Sequence, residues 1–430
     1  MILYLAFLVS CSPVDETDSG LIVEPKAFSN SEIKSLRSHW PLPDVPLDTT
    51  NSYGDDPYAQ HLGQYLFYDT RFSENGEVAC ATCHDPALGW SDGKQVADTL
   101  IPVNRHTPSL WNAGYLRWSF WDGRCDSLWC QALEPFESEA EMGGDRMGIV
   151  HAVVGDAELS AAYLDVFGNL PDVSDASRFP AHARPGEAEH PFAQAWSDMR
   201  PDDRAVVNGF FANIGKAIAA FERLVVSRES PFDSFAEALL TSPSEGKGLD
   251  SISDAAARGL KLFLGEGQCH FCHSGPNFTN QEFANVGVGS RAWLDDGDRG
   301  RIEGVLQVRD NTFNGSGVFS DDPEMGTIKL NYLNIGNEQE GQFKVPTLRN
   351  VSTHPPYFHG GHAETLEDVV AHYGDPTLEI PEFGHREDLL VNVTLDEDEL
   401  ADLVAFLESL TSGSTDESLR SQPASPLLDE

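Results

Sequence analysis

The chain has little positive charge. Its 28 Lys and Arg residues stand against 69 Asp and Glu, a formal net charge of −41 over 430 residues. Phosphate binding needs dense Lys and Arg, so nucleic acid is excluded as a partner, as is electrostatic docking on anionic lipid. Long apolar runs are also lacking. The longest, Met1–Val9, falls far short of the about 20 residues that cross a bilayer. Strand-like alternation is weak throughout, so the fold class expected is mainly α. Apolar material is nonetheless plentiful: 40% hydrophobic and 10% aromatic residues can bury real cores and exclude a disordered acidic chain. The acidity then reads as a solvated surface, or as a docking face for a basic partner.

Cysteine is sparse but patterned. Of the seven, four fall in two copies of one motif, Cys80-Ala81-Thr82-Cys83-His84 and Cys269-His270-Phe271-Cys272-His273. CxxCH is the attachment signature of c-type haem: two thiols add to the vinyl groups, and the adjacent His supplies the proximal iron ligand. A four-cysteine zinc site would need neither His, and thioredoxin-like pairs would need no repeat of this spacing. The expectation is two covalently bound c-type haems, held by Cys80, Cys83 and His84 and by Cys269, Cys272 and His273. Such attachment takes place outside the cytoplasm. Leu8-Val9-Ser10-Cys11 agrees, because it resembles a bacterial lipobox that would place a lipid anchor on Cys11, although the basic n-region is missing. The expected location is the periplasmic side of a bacterial membrane. Cys125 and Cys130 remain, as a disulfide favoured by an oxidising compartment or as two buried thiols. Five residues within one helix hold two sulfurs too far apart, so a disulfide needs Cys125 before or at a helix start.

The two motifs divide the chain. Residues 1–11 read as a signal segment, 12–39 as a flexible acidic tether, 40–228 and 229–411 as two tandem c-type cytochrome domains, and 412–430 as a disordered tail. Upstream of each motif a Gly is followed three residues later by Leu-Phe, at Gly63 and at Gly259, as in a helix packing on a porphyrin. Closing helices are expected at Asn208–Val225 and Leu395–Leu410. Ser227–Asp250 reads as the interdomain link, and Asn285–Gly341, rich in Gly, Asn and Asp, as a long irregular excursion.

Three segments carry a resemblance to the bacterial dihaem cytochrome c peroxidase / MauG family: LGQYLFYDTRFSENGEVACATCHDPALGWSDG, RHTPSLWNAGYLRWSFWDGRCDSLWCQALEPFESEAEMG and FKVPTLRNVSTHPPYFHGGHAETLEDVVAHY. The resemblance covers about residues 40–411, and Phe120-Trp121-Asp122-Gly123-Arg124 is its most specific motif. It implies that hydrogen peroxide reacts at the amino-terminal haem while the carboxy-terminal haem takes electrons in. Gln131 and Glu141 match the family's distal pair, Glu141 as general acid and base and Gln131 positioning peroxide or water. The alternative is a solvated acidic stretch through Glu134, Glu137, Glu139 and Glu141. Trp121 matches the aromatic residue between the haems, and Arg124 a partner for a haem propionate or a nearby carboxylate.

The sixth ligand of the second haem falls at Tyr373, where many family peroxidases carry Met. Leu366, Val369, Val370 and Tyr373 follow i, i+3, i+4, i+7, which independently places Tyr373 on an apolar helix face. Met325 is the distant alternative. An anionic Tyr ligand resembles MauG more than the peroxidases. Leu100 stands where many of those peroxidases place a blocking His. The interhaem calcium is put in doubt by His106 and His354, which replace oxygen donors preferred by a hard cation. The implied functions are a peroxidase fed by a small cytochrome c or copper protein, a MauG-like oxidase acting on Trp or Tyr of a protein substrate, or a non-catalytic electron carrier.

Overall fold

Two crossed helix pairs organise the chain. Pro57–Phe67 packs on Pro201–Glu222 in the amino-terminal half, and Asp254–Leu264 packs on Glu397–Ser409 in the carboxy-terminal half. The computed structural model describes residues 27–97, 103–242, 247–290, 297–375, 381–412 and 416–428. Local chemistry starts each helix. The Asp56 carboxylate accepts from the amides of Tyr58 and Ala59 ahead of a Pro at the first helical position. Asp396 and Glu399 form a capping box before an acidic first turn, which suits the helix dipole. Both expected closing helices are present, the first beginning earlier, at Pro201.

The glycines upstream of the motifs fix the crossings. A Cβ on Gly63 would overlap the Ala217 carbonyl, and one on Gly259 the Asp402 carbonyl. This backbone-to-backbone approach lets Phe67 and Phe263 sink completely into their cores. One core gathers Phe67, Trp90, Trp129, Phe136, Phe211 and Phe221, and the other Phe232, Phe235, Phe263, Phe278 and Phe406. The only β-ladder among the described residues is a two-residue antiparallel ribbon, Phe283–Ala284 with Phe343–Lys344.

The halves repeat one backbone plan. Trp90 and Phe278 both have positive φ, 61° and 50°. Asn112 and Asn350, each at φ 58°, open matching 3-10 turns. Phe120 and Phe358, each at φ 66°, follow eight residues later and sit in equivalent isolated bridges, Ser119 with Cys125 and Tyr357 with Ala363. The two asparagines also knit the halves together. The Asn112 side chain accepts from the Ser227 amide and donates to Asn277, while Asn350 accepts from the Ser227 hydroxyl and the Ser412 amide.

Four expectations about the connecting segments need correction. Of the expected tether, residues 27–39 are ordered: a Ser29–Glu32 capping box starts helix Asn30–Leu36, and Phe28 and Leu36 are buried in the second core. Cys11 and residues 12–26 lie outside the described residues. The expected interdomain link contains helix Pro231–Thr241, capped by Ser230, with Phe232 and Phe235 fully buried. There the Ser-Pro pair marks a helix start instead of a linker. The expected irregular excursion holds helices Arg301–Asp310 and Pro323–Asn331, whose apolar residues face both ways, Val305, Val308 and Leu330 inward but Leu306, Met325 and Ile328 outward, so no one-sided stripe is left for periodicity to detect. The expected disordered tail docks on the first half. Leu419 is buried there, and Gln64 donates to the Ser418 and Ser421 carbonyls at 2.6 and 2.8 Å. One apolar residue and several backbone carbonyls anchor it, a signal too small for composition to show.

If the crossings are fixed as described, Gly259→Ala lowers the thermal midpoint of the holoprotein. Overpacking of about 1–3 kcal/mol or more outweighs a helix-propensity gain of about 1 kcal/mol. Gly209→Ala, in helix Pro201–Glu222, would place a Cβ no closer than 3.9 Å to a neighbouring atom and is expected to leave the midpoint unchanged or raised. Equal shifts of both variants in a thermal melt would refute the account.

Candidate active site

A cavity of about 610 Å³ runs between the two halves, lined by Cys83 and His84 from the first motif and by Cys269, Cys272 and His273 from the second. Cys80 packs instead against the first core. The two imidazoles are oriented alike. His84 Nδ1 bonds the Trp90 carbonyl at 3.1 Å, and His273 Nδ1 bonds the Phe278 carbonyl at 3.0 Å. A carbonyl only accepts, so Nδ1 carries the proton in each ring and Nε2 is left as a lone-pair donor. Burial lowers both imidazole pKa values, that of His273 to about 4, which keeps the rings in the neutral, metal-ligating form. The four motif thiols are unbridged, and burial raises Cys83 to about 11 and Cys269 to about 12. Paired thiols next to a neutral, oriented imidazole, twice on one chamber, fit two c-type haems.

The shared backbone plan shows where the halves differ above these motifs. Ser127 caps Leu128–Gln131, and Thr365 caps Leu366–Gly374, each seven residues after its positive-φ Phe. Tyr373 lies on the second helix, and the same offset from Phe120 reaches Pro135; both line the chamber. Tyr373 offers a phenol oxygen at that point, whereas the Pro135 side chain has no donor atom. Burial raises the Tyr373 pKa, with the Cys272 and Cys269 thiols adding to the shift. Met325 is half-exposed on helix Pro323–Asn331 and is not among the lining residues. His372 bonds the Val286 carbonyl at 2.8 Å.

Gln131 and Glu141 both line the chamber. The acidic stretch around Glu141 is sorted by its partners: Glu134 accepts from Asn311, Glu137 pairs with Arg146 and Glu139 pairs with Arg184. Of the four, Glu141 alone faces the cavity. Although Glu141 is exposed to the chamber, desolvation by the wall around it raises its carboxyl pKa, with Ser138 and Arg124 pulling in the opposite direction. The Gln131 Oε1 atom is buried without a partner, so it can accept a hydrogen bond from a small molecule in the chamber. A Cys125–Cys130 disulfide, Cα–Cα 5.7 Å, ties the preceding loop to this helix, with Cys125 ahead of the helix start.

Trp121 is fixed on the chamber wall. Its indole donates to the His106 carbonyl at 2.8 Å, its carbonyl accepts from the Lys344 amide at 2.7 Å, and the His106 amide bonds the His359 carbonyl at 2.7 Å. Asp122, beneath it, is ion-paired with Arg105 and Arg124. Burial alone would raise the Asp122 carboxyl, yet these guanidinium groups hold it low. Arg124 thus meets the nearby carboxylate, and it also lies 3.4 Å over the Phe120 ring.

Lys344 was missed by sequence reasoning. It is buried and lines the chamber, its ammonium has no hydrogen-bond or ion-pair partner among the described residues, and burial alone pushes its pKa down to about 8. A buried ammonium is costly without a counter-ion, and a haem carboxylate would supply one. The available signal was a single cation between Phe343 and Val345 in an acid-rich chain. His354, also on the chamber wall, has a buried Nε2 without a partner, and His106 bonds the Lys94 carbonyl at 2.8 Å. These nitrogen donors do not fit a hard calcium ion. Leu100 lies outside the described residues.

The comparisons with known proteins agree with this chamber. The sequence model of a family described as di-haem cytochrome c peroxidase matches residues 57–239. The methylamine utilization protein MauG of Methylorubrum extorquens is 29% identical over 397 residues, covering 92% of this chain and 89% of that one. Cytochrome-c peroxidase IdrP1 of Denitromonas iodatirespirans is 30% identical over 376 residues, covering 86% and 85%. A crystal structure of a MauG-like protein associated with microbial copper homeostasis shares the fold with a TM-score of 0.60 and 24% identity, over 90% of this chain and 96% of that one. The family implies two c-type haems, and the chain, a mainly helical oxidoreductase, belongs to the di-haem cytochrome c peroxidase / MauG family.

Proposed function

We propose that the protein reduces hydrogen peroxide to water in the amino-terminal half of the chamber, with electrons arriving through the carboxy-terminal half. The balance is H2O2 + 2 H+ + 2 e− → 2 H2O. The observation that carries this reading is the asymmetry of the wall: Glu141, Gln131 and donor-free Pro135 on one side, Tyr373 on the other. Two haems, each attached through its Cys pair and ligated by His84 or His273, would supply the electrons and the iron that binds peroxide. Tyr373 would be a sixth ligand in the second half. Gln131 holds the peroxide through its unpartnered oxygen. Glu141 takes the proton from one peroxide oxygen and delivers it to the other, which leaves as water. Trp121, fixed between the motifs, is placed to couple the two halves. The disulfide supports an oxidising compartment, in line with a periplasmic protein anchored through a lipid at Cys11. A small cytochrome c or copper protein is the donor in this reading.

A second reading has its own support. Tyr373 on the wall, together with the similarity to MauG, favours an oxidase that modifies Trp or Tyr of a partner protein. Adding peroxide to the purified holoprotein and then a reduced small cytochrome separates the two: turnover of the cytochrome supports the peroxidase, and its absence, with a partner protein modified instead, supports the oxidase.

Glu141→Gln should slow the reaction with peroxide at least about tenfold, within the usual contribution of general acid–base catalysis, with both haems retained. The pH profile gives the sign. Glu141 must be ionised to accept a proton, and its pKa is raised above 4.5. The rate therefore falls as pH drops through that raised pKa, and the falling limb vanishes in Glu141→Gln. Stopped-flow rates that match the parent at every pH would return Glu141 to a solvated role. Tyr373→Phe should change the absorption and EPR signals of one haem and leave the other intact; unchanged spectra would exclude Tyr373 as a ligand.

A further inference from the structure

Helix Pro323–Asn331 is inverted relative to an ordinary surface helix. Its inward face carries Gly326, set too close to the Gly315 backbone for any Cβ, and Leu330, which packs with Trp118 and Val308. Met325, Ile328 and Tyr332 recur at i, i+3 and i+7, so they share the opposite face, where they are 49%, 48% and 82% exposed. Val318, before the helix in sequence, and Ile335, after it, are exposed apolar residues as well. Scattered exposed apolar residues are ordinary, whereas a continuous stripe marks an interaction surface.

Exposed acids precede and follow this stripe along the chain. Glu324 and Glu338 are exposed. Two cations of the inserted helices turn away from the stripe, while Arg117 stays exposed nearby: Lys329 donates to the carbonyls of Arg117 and Asp126 and lies 4.6 Å over the Trp118 ring, and Arg309 donates to the Leu333 carbonyl. Beneath the stripe, Trp118 is three residues from Trp121 on the chamber wall. An apolar centre with a charged rim is the usual make-up of a specific docking patch, and complementary charge steers the encounter.

We propose that this face docks the electron donor, a small basic redox protein with an apolar patch of its own, and that Trp118 and Trp121 lie between donor and chamber. The proposal rests on the peroxidase reading and adds the surface and the charge of the partner to it.

The test uses the holoprotein and mitochondrial-type cytochrome c as a basic probe, in its reduced form with peroxide. A small uncharged ferrocene serves as the comparison reductant. Ile328→Glu/Tyr332→Glu replaces exposed side chains and should raise the KM for the cytochrome at least about tenfold, a loss of about 1.4 kcal/mol, while ferrocene turnover stays at the parent rate. Glu324→Lys should weaken the cytochrome at low salt, and added salt should weaken the parent. An unchanged KM in the double variant, or ferrocene turnover by a parent that does not accept the basic cytochrome, would overturn the proposal. Without turnover of either reductant the peroxidase reading fails, and calorimetric titration with ferric cytochrome c still decides the surface: at least tenfold weaker binding by the double variant supports it, and equal binding overturns it.

Discussion

An imidazole N–H pointing at a backbone carbonyl is the contact on which the chamber depends. It occurs twice, from His84 to Trp90 and from His273 to Phe278, and in both places the acceptor residue is an aromatic held at positive φ. That backbone conformation is costly for a bulky side chain, so surrounding packing has to hold it. Trp90 and Phe278 are both fully buried, each in the core of its own half. Core packing, backbone conformation and ring orientation thus form one chain of cause. The glycine crossings stand at its start, because they bring Phe67 and Phe263 against those same aromatics.

Much of this was legible in the sequence. The two CxxCH motifs named both ends of the chamber, and the Gly–Leu-Phe spacing marked the helix upstream of each motif, although its glycines serve the approach to the Ala217 and Asp402 backbones, which the spacing alone does not reveal. The i, i+3, i+4, i+7 pattern put Tyr373 on an apolar face that does line the chamber. Less legible was anything set by contacts between distant residues. Apart from the family resemblance, nothing in the acidic stretch distinguishes Glu141 from Glu137 or Glu139 until Arg146 and Arg184 are seen to engage the other two. Lys344 lies in a short apolar stretch buried by contacts from both halves, His359 and the Phe283–Ala284 strand on one side and Trp121 and Arg105 on the other. The helices between residues 301 and 331 escaped notice for a different reason: the inward face of one is only Gly326 and Leu330, and in the other the exposed Leu306 breaks the period of Val305 and Val308.

The shared plan of the halves makes their differences informative. Eight residues separate the left-handed Asn from the positive-φ Phe in both, and seven more reach the capping residue in both. Against that constant frame, Pro135 answers Tyr373, and Trp121 answers His359. Substitutions at matched positions of a duplicated scaffold change chemistry without disturbing the frame, so a single fold can hold one open site and one filled by a protein side chain. The spacing between Trp90 and Asn112 against that between Phe278 and Asn350 is the main departure, and the extra length in the second half contains both inserted helices.

That insertion also bears on the charge. Arginine pairs with several of the carboxylates that are buried or partly buried, among them Asp122, Asp203, Asp233 and Asp298. The scarce cations are therefore largely spent inside the fold, and the surface is left with the acids. Arg309 and Lys329 follow the same rule on the inserted helices, turning inward onto carbonyls although they sit at the surface. An exposed apolar stripe on such a surface cannot be screened by neighbouring lysines, as it often is elsewhere through their long aliphatic stems. It stays bare, and repulsion between acidic copies opposes self-association. The surface that remains is apolar enough to hold a partner and negative enough to select a basic one.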